Sequence, residues 1–159
     1  MTRRAASALG STQTRAALAL SVVCGLAAPP ALAWTFTPGR PCLLTQETAT
    51  LSVVLTYDPS APLYTIALSR ADPFPAAPVF ELSFRGGMDL RIGTDRHVLS
   101  DGARTLTVTD TGFGNVLNGI GFNTTMTAYI GDESIEVPLA GSDAPLAAFR
   151  ACEGAPLAV

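Results

Sequence analysis

The chain has 159 residues and a net charge of −3, from ten arginines, no lysine and thirteen acidic residues. One domain fits that length. An acidic chain with no cluster of arginines among aromatics has no general attraction for phosphate backbones or anionic lipid, which argues against nucleic-acid and peripheral membrane binding.

The first segment has the three zones of an export signal. Arg3, Arg4 and Arg15 give a positive start, an apolar run follows from Ala16 to Ala28, and Pro29-Pro30 breaks it before Ala31-Leu32-Ala33. A cut after Ala33 is expected, so residues 1–33 read as signal peptide and no membrane-spanning segment remains after cleavage. The apolar run is shorter than the roughly 20 residues a transmembrane helix needs. Cys24 is preceded by Val23 and Ser21, which does not fit a lipoprotein leader. The Arg3-Arg4 pair lacks the apolar residues that a twin-arginine signal carries just after it. All thirteen acidic residues lie beyond the cut, against seven of the ten arginines, so the remaining domain is more acidic than the whole chain.

Beyond the cut, the chain alternates. Ala49–Tyr57 places Leu51, Val53, Leu55 and Tyr57 on one face, and Leu63–Arg70 continues with Tyr64, Ile66 and Leu68 inward. The prolines from Pro73 to Pro78 mark a connector that cannot pair in a central ladder. Val79–Arg85 points Phe80, Leu82 and Phe84 inward. Gly86-Gly87 turns the chain, and Met88, Leu90 and Ile92 resume the inward face. A short strand is expected over Arg96–Leu99 and another over Arg104–Thr109, around a Ser100-Asp101-Gly102 turn. Phe113, Val116, Leu117 and Ile120 then recur at helical spacing, with Asp110 or Thr111 able to cap and four glycines weakening the helix. Asn123–Ile130 and Ser134–Leu139 read as a hairpin, and Pro138 confines the second strand to an edge or terminus. Ser142 or Asp143 caps a last helix over Ala144–Ala151 with Leu146 and Phe149 buried. Residues 153–159 have no pattern and read as a flexible tail. The whole predicts a mainly β domain, an antiparallel β-sandwich or partly open barrel with two short helices, over residues 34–152.

Of three cysteines, Cys24 leaves with the signal and two remain, Cys42 and Cys152. Their spacing suits neither a redox C-x-x-C nor a zinc site, so a structural disulfide in an oxidising compartment is expected, periplasmic or secreted.

The runs Trp34–Cys42, Leu55–Pro59, Thr94–Asp101, Gly112–Leu117, Pro138–Gly141 and Phe149–Cys152 resemble those of a group of small exported alphaproteobacterial proteins of unknown function. The likeness covers nearly all of residues 34–152 and brings no catalytic residue with it. Some members of that group carry an excision-repair label. The acidic charge, the export signal and the absence of a phosphate-binding loop contradict it here. The last hairpin and helix are also similar, more loosely, to the invasion-associated locus B family.

Asp110-Thr111-Gly112 has the sequence of the aspartic-protease loop, in which two carboxylates share one proton. A chain of this size would have to dimerise to supply the second aspartate. Phe113 stands where such loops carry a small residue, and Thr109 stands where they carry an apolar one. The plain alternative is a strand-end turn in which the Asp caps and Gly112 supplies positive φ. His97, the only histidine, has Asp95, Ser100 and Asp101 near it in sequence but no G-x-S-x-G elbow, and reads as a surface residue on a hairpin. Asp95, Asp101, Asp132, Glu133 and Glu136 lack the spacing of a calcium loop and read as acidic turns. Asn123-Thr124-Thr125 fits a glycosylation sequon. Trp34 and Phe36 are expected to pack over the core beside Cys42.

No catalytic residue beyond the candidate Asp110, no cofactor and no metal are expected. The reading favoured by the sequence is a non-enzymatic envelope protein that binds a protein partner or supports an assembly, with an inhibitor of an envelope enzyme inside that class. Its rivals are a dimeric aspartic-protease-like enzyme using Asp110 and an apolar-ligand-binding β domain.

Overall fold

Side chains that alternate apolar and hydroxyl along a strand bury one face and solvate the other. The computed structural model describes residues 33–153. The expected signal peptide and tail lie outside the described residues, apart from Ala33 and Glu153.

Strands β1 (Thr35–Thr37), β2 (Cys42–Glu47), β3 (Ser52–Asp58) and β4 (Leu63–Ser69) form a meander. The chain crosses to a second sheet for β5 (Phe80–Arg85) and β6 (Leu90–Thr94), then returns for β7 (Val98–Ser100) and β8 (Thr105–Asp110). Helix α1 (Gly114–Gly121) leads back to β9 (Thr125–Ile130) and β10 (Glu133–Pro138), and α2 (Asp143–Glu153) follows. The sheets are ordered β1-β2-β3-β4-β8-β7 and β10-β9-β5-β6, antiparallel throughout. Of the two expected architectures, the sandwich or the partly open barrel, the two separate sheets fit the sandwich.

Leu55, Ile66 and Val108 meet the inner face of the second sheet, where Phe80, Leu82 and Phe84 project. Burying each such side chain contributes about 1.5–3 kcal/mol. The outer face of the first sheet carries hydroxyls instead, with Thr65 against Thr109 at 3.3 Å and Ser69 against Thr105 at 3.1 Å. Tyr57 and Tyr64 are cross-strand partners whose rings stack at 4.4 Å, and Phe113 extends the stack at 5.4 Å. The proline-rich connector lies outside both ladders, as expected, and is pinned. Phe74 is buried, its N–H donates to Ala103 O, and the Arg70 guanidinium covers its ring at 4.2 Å.

Cys42 and Cys152 form the expected disulfide, with Cα atoms 6.7 Å apart across 110 residues of sequence. Trp34 is buried and its indole N–H donates to Pro138 O at 3.2 Å, so the first residues pack on the core beside Cys42.

Several local expectations are corrected. Strand β2 does not appear in the alternation because its third inward residue is Gln46, which is fully buried with neither amide atom hydrogen-bonded among the described residues. An unpaired amide in an apolar interior costs stability. Gln46→Met keeps the shape and is expected to stabilise by about 1–2 kcal/mol in urea unfolding. A loss would mean that the amide has a partner. Met88 was expected to point inward and is 68% exposed, because the bend from β5 to β6 extends to Asp89 and the inward face resumes only at Leu90. Strand β7 starts at Val98, since residues 95–97 are spent crossing between the sheets. The β9–β10 loop is the two residues Gly131 and Asp132, with Gly131 at φ +58°. Neither Asp110 nor Thr111 caps α1. Phe113 occupies the N-cap without a side-chain bond. Helix α1 forms despite its glycines because its apolar side is buried, and Gly119 lies against the Phe84 ring.

Candidate functional site

Where α1 enters the sandwich, the two sheets do not close on each other. The inner faces of β4, β5 and β8 and the start of α1 enclose a hollow of about 230 Å³. Ile66, Phe80, Leu82, Val108, Phe113 and Val116 make its apolar walls. Its mouth is bounded by β6 from Ile92 to Thr94 and by Arg96, Asp110 and Asn115. A second hollow of about 200 Å³ continues along the same strand, between Met88 and Leu90 on one side and Asn118 and Phe122 on the other. Asn115 borders both. The two hollows, together called the channel, share only Asn115 and take lining residues from both β6 and α1. Two large apolar side chains stand exposed at one end, Met88 and Phe122 (55% exposed).

Arg96 and Asp110 form an ion pair at the other end. Strand β8 delivers Asp110 and the crossover after β6 delivers Arg96, so the pair ties one sheet to the other. The second Asp110 oxygen accepts the Thr111 N–H at 2.7 Å. The Thr111 N–H first, and the Arg96 guanidinium next, hold the Asp110 carboxyl below the ordinary carboxylate range. A carboxylate lowered in the fold adds stability above its unfolded pKa and loses it as pH falls through the folded value. The deficit of Asp110→Asn relative to wild type should therefore be present at about pH 7 and absent at about pH 2. Thermal melts at both values check it, and a constant deficit would show that the charge is not the cause. Gly112 is not in the left-handed region, contrary to the turn expected around it.

The other candidates are dispersed. His97 is half-buried against Phe80, ring centroids 6.2 Å apart, so the expected surface histidine is partly covered. Its Nδ1 is buried without a hydrogen bond among the described residues, so no acid orients it there as in a triad. Among the described residues no group of three or more His, Cys, Asp or Glu could hold a metal ion. Glu133 pairs with Arg70 at 2.7 Å. Asn123 donates to Met88 O at 2.9 Å and Gly119 O at 3.0 Å, which ties the end of α1 to the β5–β6 bend. A larger hollow of about 440 Å³ lies beside Thr48–Ser52 and Arg70. Its cation is already committed to Glu133, to the Asp72 and Pro73 carbonyls and to the Phe74 ring.

Sequence reasoning singled out Asp110 but not Arg96, Asn115 or β6 as neighbours of a cavity. The only signal was the inward placement of Leu90 and Ile92. Which strand ends a sheet depends on strand order, which alternation does not encode.

Among the described residues no helix is long and apolar enough to cross a membrane. Comparison with known proteins finds no matching family model, no matching curated protein and no matching solved structure.

Proposed function

We propose that this chain is a non-enzymatic binding module of the envelope, exported and stapled by its disulfide, with the channel between β6 and α1 as its binding site. The observation that carries the reading is the 230 Å³ hollow, with apolar walls on both sheets and one polar pair at its mouth. Concave apolar surface with a few placed polar groups is the usual form of a binding site. The disulfide fits a compartment outside the cytoplasm. The small exported proteins that the sequence resembles are consistent with that setting.

Asp110 supports this reading better than a catalytic one. A proton-sharing dyad needs a carboxylate that faces another carboxylate. This one faces an arginine and is held in its charged form.

The test uses phenylnaphthylamine, a neutral dye that brightens in apolar surroundings. Wild type should bind it at micromolar concentration. A Cβ on Gly112, at the rim of the hollow, meets nothing within 4 Å, so Gly112→Trp should fold normally. Its indole over the mouth should weaken dye binding about tenfold or more. No binding by wild type, or equal binding by the variant, would remove the site from this channel.

A further inference from the structure

We infer that the channel receives an extended segment of a partner protein, which adds as a fifth strand to the second sheet on the β6 edge and seats two apolar side chains in the two hollows. The inference rests on the binding reading above and names what enters the site.

The four sheet edges are not alike. An edge strand presents unpaired N–H and C=O groups, and proteins usually shorten, cover or charge it. Three of the four edges are managed in this way. Strand β1 has three residues and packs against α2, and β7 also has three. Strand β10 carries Glu133 and Glu136 and ends on Pro138. Strand β6 has five residues and no proline; α1 packs against it, as α2 does against β1, but no strand pairs with its outer side among the described residues. Its one charge does not guard the edge. Arg91 leans back across the sheet to Glu81 and over the Tyr129 ring. Gly93, the fourth of the five β6 residues, has no side chain.

The hollows lie along the inward face of β6. Leu90 borders one, and Ile92 and Thr94 border the other. These three residues share the inward face of β6, which repeats every two residues, about 6.6 Å. A strand added beside β6 repeats with the same period, so two of its side chains an even number of residues apart reach the two hollows. Each hollow is smaller than the roughly 300–1,000 Å³ of sites for drug-sized ligands, leaving room for a compact aromatic probe or one large side chain. About 200 and 230 Å³, divided at Asn115, suit single large side chains better than one long acyl chain.

Arg91 and Arg96 are each matched by a carboxylate, so the channel asks for no charge from its occupant. Anchors such as Val, Leu or Phe meet that condition. A second copy of this chain, pairing β6 to β6, fits less well. Its own Leu90 and Ile92 are packed against its own core and could not fill the hollows.

The experiment uses the oxidised protein with capped, fluorescein-labelled nonapeptides in which Thr alternates with Val, Leu or Phe. At least one peptide should bind and displace phenylnaphthylamine. N-methylation of its amides should weaken binding about tenfold in one alternate phase and little in the other, because only one phase faces β6. Asn115 is exposed, so Asn115→Arg should leave the fold intact, fill the junction of the hollows and abolish peptide binding. If the dye binds and no peptide displaces it, the inference fails while the channel stands as a small-molecule site. If neither binds, both readings fail. Equal loss from both methylation phases would overturn strand addition. Self-association that protects the β6 amides would assign the edge to a second copy instead.

Discussion

Replacing both bridging cysteines, Cys42→Ala with Cys152→Ala, is expected to lower stability by about 4–5 kcal/mol. The bridge closes a loop of 110 residues. Cutting it releases nearly the whole domain to a larger set of unfolded conformations. The folded state should change little, since β2 remains paired with β3 along its length and α2 still buries Leu146 and Phe149. The effect should thus appear as a shifted urea midpoint with an unchanged far-ultraviolet spectrum. Domains of this size are stable by about 5–15 kcal/mol, so the loss would leave a substantial unfolded fraction on warming. A shift below about 1 kcal/mol would mean that the reduced chain already holds these ends together when unfolded.

Gly119→Ala is expected to destabilise, although helix propensity alone favours alanine by about 1 kcal/mol. A Cβ at Gly119 would stand 2.6 Å from two atoms of the Phe84 ring. That ring is fully buried on a central strand of the second sheet. Overpacking a filled core costs about 1–3 kcal/mol, and we expect that term to win by a net 1–2 kcal/mol. Phe84→Leu should cost stability alone and cost less in the Gly119→Ala background. A coupling of about 1 kcal/mol in the double-mutant cycle would confirm the contact, and additive effects would refute it. The same glycine sets the distance of α1 from the sheet. The alanine variant should therefore also disturb dye binding in the channel.

These two positions show what a sequence reveals and what it conceals. Strands β3, β4, β5 and β8 were legible because strict alternation has one physical cause, a half-buried sheet. The hairpin of β9 and β10 and the final helix were legible for similar reasons, with Pro138 at the end of an edge strand and Leu146 and Phe149 buried. The disulfide followed from counting. Strand β2 was concealed because Gln46 occupies a core position against its chemistry. The glycines of α1 looked like weaknesses, and at Gly119 the missing side chain proves to be a packing requirement. The channel was illegible for a different reason. Arg96 and Asp110 are 14 residues apart and belong to different parts of the sandwich, and only the return of the chain between sheets makes them partners.

The bridge also has a consequence in time. Cys42 lies at the start of the domain and its partner is 110 residues later, on the last helix. A chain that appears from its N-terminus, whether at a ribosome or a translocation pore, presents the Cys42 thiol long before Cys152. No other cysteine lies between them. The early thiol therefore has no wrong intramolecular partner in the domain, and it must wait, open to any oxidant or small thiol nearby, until the last turn arrives. The sheets are free to form in the interval, and closure records that the domain is finished.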